Sequence, residues 1–98
     1  MTYKLKFLPS ALEEWENLNN NIKPLFKKKL QERIENPHVP ASRLRGFENH
    51  YKIKLRKAGF RLVYEVLDDE QSVLVIAVGK REDNFVYRQA QKRSKGQN

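Results

Sequence analysis

Cysteine is absent from these 98 residues, which excludes disulfides and thiolate metal sites, and with them the stapled scaffold of small secreted domains. Two histidines leave little else from which to build a metal centre, and no cofactor motif is present. Glycine and proline number four each, too few for a low-complexity or linker-rich chain. No stretch approaches the ~20 apolar residues of a membrane span, and the opening M-T-Y-K-L-K-F alternates where a signal peptide would run apolar. A cytoplasmic location with no membrane partner is therefore expected. Acidic residues are also scarce, twelve against twenty Lys and Arg, leaving a formal charge of +8. At this length such an excess points to nucleic acid or to an acidic partner protein.

A hydrophobic content of 39% supports one globular core without staples. We expect a single domain over residues 1–93 and a polar, disordered tail over 94–98. Thr2 to Leu8 alternates Tyr3, Leu5 and Phe7 against Lys4 and Lys6, the pattern of a half-buried strand. Ser10 and Glu13 form a capping-box pattern ahead of the helical stripe Ala11, Leu12, Trp15, Leu18. A second stripe, Ile22, Leu25, Phe26, Leu30 and Ile34, completes a helical hairpin that Asn36-Pro37 stops. From Pro37 to His50 the chain reads as a loop anchored by Leu44 and Phe47.

Tyr51–Lys57 and Phe60–Leu67 then read as a β-hairpin around a two-residue Ala58-Gly59 turn, which sets Arg61 opposite Arg56. Ser72 to Gly79 is nearly continuous in Val, Leu, Ile and Ala, as in a central strand buried on both faces. A last helix contains Phe85, Val86 and Ala90, with Asp83 or Asn84 as its cap. The order predicts an α+β fold: a small, antiparallel-rich four-stranded sheet with an N-terminal helical hairpin on one face and a C-terminal helix, all helices packing on the apolar face.

The opposite face would display His50, Lys52, Lys54, Arg56, Arg61 and Glu65, with Arg81 leaving the central strand nearby. Like charges on neighbouring positions of one face repel, so a row of this kind calls for an anion. Each cation also disfavours protonation of its neighbours, which moves a lysine toward service as a base. Internal cleavage of RNA needs a proton removed from the 2′-hydroxyl, charge stabilised on the phosphorane and a proton returned to the departing 5′-oxygen, all without a metal. Tyr87 can stack a base or orient the hydroxyl. An edge strand guarded by lysines against aggregation carries the same pattern, and the Lys27-Lys28-Lys29 run fits a solvated helix face.

Taken together, R-L-R-G at 43–46, Y-K-I-K-L-R at 51–56, G-F-R-L-V-Y at 59–64 and V-G-K-R-E with V-Y at 78–87 resemble the RelE family of bacterial toxins. The resemblance implies a microbial-ribonuclease-like fold acting in the ribosomal A site on messenger, beside ribosomal RNA, and an acidic, RelB-like antitoxin as partner. It implies catalytic roles for Lys52, Lys54, Arg61, Arg81 and Tyr87, and RNA contacts from Arg45, Arg56 and Lys80. His50 would be an accessory group that the family pattern does not demand. The same architecture also serves ParE-type toxins directed at DNA gyrase, and a noncatalytic basic binding module is a further alternative.

Overall fold

The computed structural model describes residues 2–93, apart from the Asp83 side chain; the expected tail at 94–98 and the Asp83 cap lie outside the described residues. Strand β1 (Lys4–Phe7) leads into α1 (Pro9–Glu16) and α2 (Lys23–Glu35), followed by a 3-10 turn at Pro40–Ser42. Strands β2 (His50–Leu55), β3 (Phe60–Leu67) and β4 (Ser72–Lys80) come next, and a 3-10 turn at Glu82–Asn84 precedes α3 (Phe85–Arg93). The sheet order is β1-β4-β3-β2, with β1 parallel to β4 and the other two pairs antiparallel.

The helical stripes are buried largely as their spacing predicts. Ala11, Leu18, Ile22, Phe26 and Leu30 pack onto Tyr51, Ile53, Leu62, Tyr64, Val66, Val73, Val75 and Val78, one face of the sheet. Full burial of a side chain such as Phe26 or Leu30 contributes roughly 1.5–3 kcal/mol. Leu25, at 47% exposure, falls off the stripe. The first helix starts one residue before the expected cap: Pro9 takes the first turn, Leu8 is the N-cap, and no side-chain cap bond forms. Proline suits that position because the N–H it lacks would have no helical partner.

The hairpin differs from its expected register. Lys54 pairs with Arg61 and Leu55 with Phe60, leaving Arg56 to Gly59 as a four-residue turn. Gly59, at φ +75°, closes that turn by donating its N–H to Leu55 O at 2.8 Å. A shift of two residues preserves which side chain faces which way, so the hydrophobic pattern is blind to it. Arg56 consequently leaves the strand for the turn, and Arg61 faces Lys54 instead.

The helices do not all share one face. Val86 and Ala90 of α3 pack with Val63, Ile76, Ala77 and Leu44 on the side opposite α1 and α2. A β-bulge makes room for this: Val63 pairs with Ala77 and Tyr64 with Val75, so Ile76 is the extra residue. Both Ile76 and Ala77 thereby turn toward α3. The cationic face is thus half roofed by a helix that brings Tyr87 over it.

Candidate active site

Strand β2 is an edge strand whose side chains alternate between the core and the α3 side, which places His50, Lys52 and Lys54 together on the latter. Arg61 joins them from β3 as the direct cross-strand neighbour of Lys54. None of Lys52, Lys54 and Arg61 has an acidic partner among the described residues. The consequence falls on Lys54: Lys52 above all, then partial desolvation, Arg61 and Arg56, hold its amine below the usual lysine range.

Tyr87 reaches the same place from α3. The Arg61 guanidinium lies over its ring, 5.9 Å from the centroid, and the phenol oxygen is buried with no hydrogen-bond partner among the described residues. Burial raises the pKa of this phenol, and the charge of Arg61 offsets part of that rise. Arg81 follows β4 at the hairpin turn, donating its backbone N–H to Gly59 O at 3.0 Å. Its Nε stands 3.7 Å from where a Cβ on Gly59 would be, an ordinary contact, so the positive φ and not space is what favours glycine at 59.

The other expected site residues fall elsewhere. Arg45 is exposed and lines a cavity of about 410 Å³ with Arg43, Leu44 and Phe47, along the loop that bridges to β2 through Arg43 and Tyr51. Lys80 pairs with Phe60 and lines a pocket of about 340 Å³ with Glu82, Phe85 and Arg88. His50, read from sequence as a loop-end residue on an open face, is the first residue of β2 and only 4% exposed.

Two supports for the site were not singled out in the sequence. Arg93 at the end of α3 makes paired hydrogen bonds of 2.9 Å with the Glu14 carboxylate of α1 and donates to Ile76 O at 2.9 Å, while Val78 N–H donates to Glu14 at 3.2 Å. This fork closes the β4 edge beyond its last pairing with β1, Phe7 to Val75, and fixes the helix that carries Tyr87. Behind β2, Arg33 of α2 donates to the hydroxyl of buried Tyr64 at 2.9 Å and to Ser42 at 3.1 Å, and Tyr64 donates to Pro37 O at 2.8 Å. Partners this distant in sequence leave no local signal.

Lys52, Lys54 and Arg61 share one face of a mixed four-stranded sheet with the Tyr87 phenol, a set of groups whose chemistry suits phosphate binding and proton transfer. The protein family described as ParE toxin of type II toxin-antitoxin system, parDE, matches residues 5–85. The mRNA interferase toxin RelE of Escherichia coli is 50% identical over 93 residues, covering 95% of this chain and 98% of that protein. Among solved structures, a free-state mutant of the E. coli toxin RelE superposes with a TM-score of 0.88 at 48% identity, covering 95% of this chain and 98% of the other. The toxin in the intact E. coli RelBE toxin-antitoxin complex gives 0.79 at 49% identity, over 82% and 98%. This chain therefore belongs to the RelE/ParE family of type II toxins, and its relatives at half identity are RelE proteins.

Proposed function

We propose that the protein is the toxin of a type II toxin-antitoxin pair: a cytoplasmic endoribonuclease that cuts messenger in the ribosomal A site and stops translation until an acidic, RelB-like antitoxin binds it. The meeting of Lys52, Lys54, Arg61 and Tyr87 on one face carries this reading.

In the reaction, the free amine of Lys54 takes the proton of a 2′-hydroxyl, whose oxygen attacks the adjacent phosphorus. Lys52 and Arg61 hold the phosphate oxygens, where charge grows in the transition state. The bond to the 5′-oxygen then breaks, leaving a 2′,3′-cyclic phosphate and a 5′-hydroxyl. Arg81 stabilises the departing oxygen while water delivers its proton, because a guanidinium with a pKa above ~12 is a poor acid. The raised pKa of Tyr87 keeps the phenol protonated at neutral pH, so it orients by donating a hydrogen bond and by stacking. Arg45 and Arg56 extend the electropositive surface along the RNA, with Lys80 at the strand exit.

The test is product chemistry. Programmed ribosomes mixed with the protein should yield A-site-cut messenger ending in a 2′,3′-cyclic phosphate, and a single 2′-deoxynucleotide at the cut should leave the strand whole. The ParE description of the matched family favours one rival, a noncatalytic basic module or gyrase inhibitor on the same fold. Intact messenger together with inhibited gyrase, or RNA binding that collapses in salt without cleavage, would establish that rival instead.

A further inference from the structure

Beyond the lysine row, on the same face, lies a cavity of about 420 Å³ bounded by the loop from Gly46 to Asn49, by His50 and Glu65 of the sheet, and by Gln91 of α3. His50 is 96% buried, the complement of its 4% exposure, and its Nδ1 lies 2.6 Å from Glu48 O. A carbonyl only accepts, so Nδ1 carries the proton, and Nε2, where it carries none, is an acceptor. That atom is shielded from solvent and has no partner among the described residues. A buried polar atom left this way is costly to the folded protein, so a group able to reach and hydrogen-bond it would be favoured. Phe47 packs against the imidazole, centroids 5.1 Å apart, and gives the cavity an aromatic platform. Glu65, the cross-strand partner of His50, adds a carboxylate, and Glu48 is a second acidic residue of the lining.

We propose that this cavity is a nucleobase subsite selecting an amino-bearing base, cytosine above uracil, next to the cut. The inference rests on the RNA-cleaving reading above and deepens it. Charge is segregated along β2: cations where phosphates lie, carboxylates and an imidazole acceptor where a base edge would turn inward. Strand geometry puts His50 about 7 Å from Lys52 along β2, within reach of a neighbouring nucleotide. Carboxylates and an imidazole acceptor in the lining suit an exocyclic amino group, as carboxylates suit the cytosine amine in base recognition, and they repel the carbonyl that uracil presents there. Asn49, held at φ +57°, shapes the loop that forms the rim.

Two measurements decide it. In single-turnover cleavage of programmed ribosomes, each nucleotide flanking the cut is changed between cytosine and uracil. One position should favour cytosine by about 10-fold or more, and Glu65→Gln and His50→Ala should each bring that ratio to within about twofold. No preference at any position, or a preference that both variants keep, overturns the subsite while leaving the ribonuclease reading intact. Absence of cleavage on every messenger overturns the ribonuclease reading itself. Independently of cleavage, imidazole ¹⁵N signals of His50 should shift on titration with cytidine 3′-monophosphate and not with the uridine nucleotide. Equal responses, or none, also overturn the subsite.

Discussion

The two ends of α3 meet charge in opposite ways. At its C-terminal end Arg93 and Glu14, with side chains 11% and 22% exposed, are matched fork to carboxylate and complete the backbone bonding of β4. At its N-terminal end Tyr87 overhangs a face on which Lys52, Lys54 and Arg61 have no acidic partner among the described residues. Matched charge in a half-dry setting holds the fold; unmatched charge of one sign works against it and waits for an anion. The contrast separates residues that should fail by unfolding from residues that should fail only in function.

The largest expected effect is on the unmatched side. Lys54→Ala or Arg61→Ala should slow single-turnover cleavage by ~10²-fold or more with no loss of melting temperature. A variant that cuts at the parent rate would remove that residue from the site. The depressed pKa of Lys54 also predicts a rate that rises with pH and levels off below the range of a free lysine. In Lys52→Ala that rise should move to higher pH, because Lys52 is the main cause of the depression.

On the matched side, Arg93→Ala or Glu14→Ala strands a partly buried charge and one backbone group, Ile76 O or Val78 N–H respectively, and should cost about 2–4 kcal/mol in urea unfolding. Loss of less than about 0.5 kcal/mol would mean that the fork is no more than a surface pair. Cleavage should fall as well, since the same helix positions Tyr87.

How far each side was legible in the sequence follows from the same contrast. Period-two alternation in Y-K-I-K-L-R and the helical stripes exposed the sheet faces, the helical hairpin and the lysine row, because local spacing encodes them. The turn length is not encoded: an even register shift leaves every face unchanged, and a glycine at 59 fits a two-residue turn as well as the four-residue one observed. The roof of α3 was half visible. Val63 shares its parity with Arg61, and β4 is apolar on both faces, which together demand a cover on the cationic side. The Glu14–Arg93 fork spans 79 residues and leaves no trace in spacing. Parity puts His50 on the correct face but cannot show that Phe47 and the loop before it bury the ring.

A smaller effect tests whether the unmatched face really opposes folding. Lys52→Ala should raise the melting temperature by about 2–5 °C in low salt, the scale expected when up to ~1 kcal/mol of like-charge repulsion is relieved in a domain of this size. Sulfate should stabilise the parent more than the variant and close the gap. If the variant melts lower, Lys52 contributes more by packing its stem than it costs by its charge.

The smallest effect comes from a corner where a carboxylate is partnered but wet. The Asp68 carboxylate accepts from the Tyr3 hydroxyl at 2.9 Å and lies 3.0 Å from His38, and the Tyr3 bond chiefly holds its pKa below the usual aspartate value. A carboxyl depressed in the folded state stabilises the protein above its unfolded pKa, near ~3.9, and that contribution disappears as pH falls through the folded value. Asp68→Asn should therefore flatten the acid limb of stability below about pH 4 and change little at neutrality beyond the pairing itself, as measured by urea midpoints across pH. An Asp68→Asn loss at pH 7 as large as that of Glu14→Ala would show that burial is not what makes the fork strong, and the distinction between the two ends of α3 would then rest on pairing alone.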